Sequence, residues 1–186
     1  MPMTNLLVPT YVHMLQALAA WLNKAVETRD DADSLMSARL APDMLPLSTQ
    51  VRFACVQAHE GVLRLKGEPL TGAVETLLNE GRAGGEAPGT LADALERIEQ
   101  TLEFLSTVEP GALDPGAGRP LALELPMGIA FDFDGERYAR DWALPQLYFH
   151  VTAAYMILRH HGVALGKADY VPHMFAYLRP GTGPAA

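Results

Sequence analysis

Apolar side chains recur at steps of three and four along most of this chain, and proline and glycine gather where that rhythm breaks. Tyr11, Leu15, Leu18, Leu22 and Ala25 share one stripe behind Pro9, a residue suited to the first turn of a helix, and predict a first helix. Asp30, Asp31 and Asp33 interrupt it, and a short helical turn from Leu35 to Leu40 leads into a loop bracketed by Pro42 and Pro46. From Pro46 to Lys66, Val51, Cys55, Ala58, Val62 and Leu65 repeat the spacing, and Gly67 supplies a left-handed stop. Gly81, Gly84, Gly85, Pro88 and Gly89 make the segment from Glu80 to Gly89 a predicted linker.

Thr90 has the chemistry of an N-cap, with Asp93 three residues on, and Leu91, Leu95, Ile98, Leu102 and Leu105 form the cleanest stripe of the chain. The period then changes to two. Leu121 to Leu125 and Ile129 to Phe133 alternate large apolar with small or acidic residues, which predicts a β-hairpin turning at Pro126 and Gly128. Asp134 caps a last helix that runs to His161 before Gly162. Within it Pro145 has no N–H to give and crowds the carbonyl of Asp141, so a bend is expected there. Four long amphipathic segments that must each bury a stripe predict an all-α antiparallel four-helix bundle, with the small β-hairpin inserted before the last helix. Residues 1–180 form one domain on this reading, and residues 181–186 a disordered tail.

Composition narrows the functional classes. The 186 residues are 49% apolar and 19% charged, as in globular proteins, and a net charge of −8 without a basic stripe argues against nucleic acid as a partner. The apolar run from Met14 to Leu22 falls far short of the roughly 20 residues that span a bilayer, so no membrane association is expected. Cys55 is the single cysteine, which rules out an internal disulfide, and a cytoplasmic location is the simplest expectation.

The common nucleotide, phosphate, serine-nucleophile and zinc-protease signatures are absent. What remains is a set of six histidines. His150 stands in the apolar run Leu147, Tyr148, Phe149 and Val151, one turn after Gln146, where a neutral imidazole could ligate a metal or be satisfied as a core residue by a hydrogen bond. His160 and His161 suit the C-terminal end of the helix dipole, and His13 and His59 read as surface or boundary residues. Cys55, on an apolar stripe, reads as a small buried hydrophobe.

Two stretches carry a resemblance: residues 37–51, Ser-Ala-Arg-Leu-Ala-Pro-Asp-Met-Leu-Pro-Leu-Ser-Thr-Gln-Val, and the run 143–170, which opens Ala-Leu-Pro-Gln-Leu-Tyr-Phe-His and continues through Leu-Arg-His-His-Gly. The chain resembles the bacterial domain-of-unknown-function family numbered nineteen ninety-three, within the DinB-like (YfiT-like) metalloenzyme superfamily. The resemblance implies an up-down-up-down bundle and a homodimer. It also implies a metal site of three histidines, one near the start of helix two and a His-x-x-x-His pair ahead of a Leu-Arg-x-x-Gly ending. Leu158, Arg159 and Gly162 match that ending, which places the pair on Gln146 and His150 and the helix-two ligand close to Gln50. One histidine of three is kept, and an amide oxygen is a poor substitute for imidazole on zinc or nickel. The expected function is therefore a small-ligand-binding or dimeric module with a degenerate metal site, its pocket lined by Gln50, Gln146, His150 and Tyr148. The alternative is a divalent-metal enzyme of thiol transferase or hydrolase type using His150, with no catalytic residue assigned.

Overall fold

The structure, a computed structural model, describes residues 1–125 and 128–182. It is mostly helical. Helix α1 spans Met3–Thr28 and buries Leu7, Tyr11, Leu15, Leu18, Leu22 and Ala25. It begins six residues before Pro9, which lies inside the helix rather than in its first turn. Asn5, whose carbonyl loses its donor to Pro9, lies with Pro9 on the exposed side, where water can take that bond. The early start is anchored from far along the chain. The Thr4 backbone N–H and hydroxyl both donate to Asp114 Oδ1 at 2.9 Å, and the Leu113 N–H donates to Thr4 Oγ1.

A 3₁₀ turn at Ala32–Ser37 precedes α2, Leu47–Lys66, which ends on Gly67 in the left-handed region at φ 70°. The segment expected to be a linker is partly helical: α3 spans Gly72–Ala83, with Val74, Leu77 and Gly81 turned inward. Gly81 serves close packing there, since a β-carbon on it would lie 2.4 Å from the Phe53 ring of α2. Helix α4, Leu91–Ser106, carries a complete reciprocal capping box: the Asp93 N–H donates to Thr90 Oγ1 at 3.1 Å, and the Thr90 N–H to Asp93 Oδ2 at 2.7 Å.

Strands β1, Pro120–Glu124, and β2, Ala130–Asp134, pair antiparallel with Leu121 opposite Phe133 and Leu123 opposite Phe131. Pro126, at which the sequence places the turn, lies outside the described residues, as do residues 183–186 of the expected tail. Asp134 caps α5, Gly135–Tyr138, by accepting from the Arg137 N–H at 2.8 Å. In place of a simple kink at Pro145 the chain makes a π-helical turn, Ala139–Ala143, closed by the Leu144 N–H on the Ala139 carbonyl. Helix α6 follows as Leu144–His160, and a short α7 as Lys167–Tyr170. Helix α2 is the axis of the packing. It touches α1, α3, α4 and α6, while α1 also packs on α4 and α6, and one continuous apolar core links them.

Candidate functional site

Helix α2 is buried on almost every side, yet Gln50, Phe53, Gln57, Glu60 and Arg64 follow one another along it at alternating steps of three and four. That spacing lines them up on one face. Across from it, Trp142, Gln146 and His150 recur at steps of four through the π-turn and α6. Between these rows lies a cleft of about 650 Å³. Its apolar walls are Phe53, Val56, Leu70, Leu78, Leu123, Leu125 and Trp142, and its polar lining is Gln57, Glu60, Arg64, Arg82, Glu124, Gln146 and His150. The hairpin supplies the Leu123 to Leu125 side.

His150 is 6% exposed and rests edge-on against the Phe53 ring. Its Nδ1 lies 2.9 Å from Gln50 Oε1. Which atom carries the proton follows from the next bond along: the Gln50 amide nitrogen donates to the Leu45 carbonyl at 3.2 Å, so Oε1 is the end of the amide that faces His150 and it must accept. Nδ1 therefore bears the hydrogen and Nε2 keeps its lone pair. Burial lowers the imidazole to a pKa of about 4, so the ring is neutral near pH 7. Such a nitrogen can accept a hydrogen bond, take a proton or ligate a metal.

The structure thus joins Gln50 to His150 and sets Gln146 beside His150 on the cleft, with Gln50 behind the ring rather than on the lining. Tyr148 is not among them. It is 42% exposed and lies in a separate apolar groove with Leu40, Met44, Phe149, Thr152 and Met156, because two residues along a helix point to nearly opposite sides. His59, read from sequence as a surface or boundary residue, is 5% exposed and stacks on Phe104 with ring centres 4.2 Å apart; burial lowers its pKa to about 4. Cys55 is fully buried, and burial pushes its thiol up to about 11, which leaves it unreactive at neutral pH.

A three-ligand metal site does not fit these residues. Both ends of the Gln50 amide are already committed, one to His150 and one to Leu45. Among the described residues no group of three or more His, Cys, Asp or Glu side chains is placed to hold a metal ion. The sequence reading missed Gln57, Glu60, Arg64 and Trp142. The signal was present as a three-four stripe of polar residues on a helix with little exposed surface. Behind Glu60 and Arg64 stand the buried phenols of Tyr11 and Tyr138, each raised above the ordinary tyrosine value chiefly by burial and further by Glu60. Tyr11 presses so closely on α2 that a β-carbon at Gly61 would sit 2.0 Å from its hydroxyl.

Comparison with known proteins agrees with this architecture. A DinB family member protein from Shewanella denitrificans, known from its crystal structure, superposes with a TM-score of 0.74 at 32% sequence identity, over 97% of this chain and 95% of that one. No curated protein matches the chain. The family described as Domain of unknown function (DUF1993) matches residues 3–171. With that match over nearly its whole length and a DinB relative alike in both sequence and shape, the chain belongs to the DUF1993 family of the DinB-like superfamily.

Proposed function

We propose that this protein is a small-ligand-binding module, and that its ligand occupies the cleft between α2, α3, the hairpin and α6. The observation that carries the reading is the neutral His150, oriented by the chain of bonds through Gln50 to the Leu45 carbonyl and bordering a cleft of ligand size with Gln146 beside it. An imidazole held this way offers a fixed acceptor at a partly apolar site, a common basis for orienting a small molecule. The fully committed Gln50 amide supports a degenerate rather than a working metal site.

In the same reading residues 1–180 fold as one unit in which α1, α2, α4 and α6 run up-down-up-down, supported by a core that is continuous from Met3 to Leu165. The module works as a homodimer in the cytoplasm. The exposed apolar Tyr148, Phe149 and Met156 on α6 support the first statement, and the lone buried Cys55 suits a reducing compartment. No helix among the described residues is long and apolar enough to cross a membrane.

Metal analysis of protein purified without a histidine tag, beside light scattering for mass, tests the proposal. Sub-stoichiometric metal and a dimer mass are expected. Near-stoichiometric zinc or nickel that disappears in His150→Ala would overturn the ligand-module reading in favour of a metal-dependent transferase or hydrolase.

A further inference from the structure

We infer that the ligand of this cleft carries a carboxylate, received by the guanidinium of Arg64. The inference rests on the cleft being a binding site, and it adds the chemical class of the ligand. Two other arginines of the fold, the buried Arg52 and the partly exposed Arg97, are held by the chain itself. Arg52 reaches Ser48 and Glu80, and Arg97 makes a fork onto Glu80 with a further bond to Gln100. Arg64 differs. Its side chain is 21% exposed, its nearest carboxylate oxygen, on Glu60, stands at 3.6 Å, beyond hydrogen-bond reach, and its buried Nε has no partner. A guanidinium carries five N–H donors in a planar fork that matches a carboxylate, and Arg64, in ion-pair contact with Glu60 but without a close hydrogen bond to it, keeps donors of that fork unsatisfied in a half-enclosed cleft, which is costly.

Trp142 lines the same cleft, and its buried indole N–H likewise has no acceptor within the described residues. Arg82 lines the cleft as well and makes no ion pair among the described residues. Glu60 and Glu124 balance these cations in number, so the lining has no net positive charge to favour a highly charged molecule such as a polyphosphate. Phe53, Leu78 and Leu123 leave room for a compact apolar body attached to it.

The matched probes are 4-methylpentanoate and 4-methylpentanamide, which share a shape and differ in charge. Each is titrated into the full chain while the Trp142 indole resonance, assigned with Trp142→Phe, is followed by nuclear magnetic resonance. The acid should bind at least about tenfold more tightly than the amide, the margin of a charge-assisted bond over a neutral one. Arg64→Gln should reduce that ratio to about two or less, and Arg64→Lys should keep part of it, with melting curves confirming that both variants fold. Equal binding of acid and amide, or a ratio that survives Arg64→Gln, overturns the carboxylate inference while leaving the cleft as a binding site. No shift of Trp142 with either probe overturns both.

Discussion

Acidification should weaken this fold before its carboxylates begin to matter. His150 and His59 are 6% and 5% exposed, and burial lowers both from 6.5 to about 4. A histidine whose folded pKa lies below its unfolded value binds protons preferentially when unfolded. Its contribution to stability is therefore complete above about pH 6.5 and is lost as the pH falls toward 4. Between pH 7 and pH 5 each ring should cost about 2 kcal/mol. The carboxylates held low by their partners, Glu80 by Arg97, Asp93 by the Thr90 N–H and Asp169 by the Gly166 N–H, lose their contribution only at lower pH, so this window isolates imidazoles. His13, lowered by partial burial and by the stacked His173, adds to the slope of the parent protein but cancels when single variants are compared with it. The assay is urea unfolding followed by circular dichroism at pH 7, 6 and 5, on the parent, His150→Gln and His59→Gln. Each variant should lose about 2 kcal/mol less than the parent across the window. A parent whose stability is flat from pH 7 to pH 5, or a His150→Gln variant with the parent's slope, would refute the buried neutral imidazole on which the site rests.

Ile98 is 1% exposed at the centre of the α4 stripe, and Ile98→Ala should cost roughly 2–5 kcal/mol in the same unfolding assay; a loss under about 0.5 kcal/mol would place the stripe in solvent. Gly61→Ala forces a methyl group into the Tyr11 hydroxyl and should destabilise by about 1–3 kcal/mol, and pairing it with Tyr11→Phe should restore part of the loss. Thr90→Ala removes one half of the α4 capping box and should cost about 1 kcal/mol, measured as a fall in the urea midpoint at constant slope.

What could be read from sequence divides by the range of the forces involved. The Thr90 and Asp93 box, the Asp134 cap and the Gly67 stop are local, each settled within a few residues, and each stands where the sequence places it. Helix α1 starts earlier than Pro9 suggests because Thr4 is tied to Asp114, a partner 110 positions away that no local pattern announces. Helix α3 escaped for a related reason. Its inward side is only Val74, Leu77 and Gly81, and the glycine that looks like a helix breaker is what lets α3 lie against Phe53. Gln146 and His150 share a face by simple helical geometry, and the same geometry turns Tyr148 away from them. That Gln50 meets His150, 100 positions later, is expected from sequence only through the family resemblance, because it depends on how α2 and α6 cross, which is set by core packing.

The π-helical turn at Ala139–Ala143 makes the outer wall of the cleft a matter of chain length as much as of residue identity. It holds one residue more than an α-helical turn would, and at about 100° per residue that single addition sets the phase between α6 and everything before it. A relative one residue shorter between Ala139 and Ala143 could keep Gln146 and His150 facing α2. Its α5 and hairpin, however, would swing about 100° around the helix axis, carrying Leu123 and Leu125 away from the mouth. Within this family, insertions and deletions at that one turn would thus reshape the mouth of the cleft while the histidine and its glutamine stay untouched.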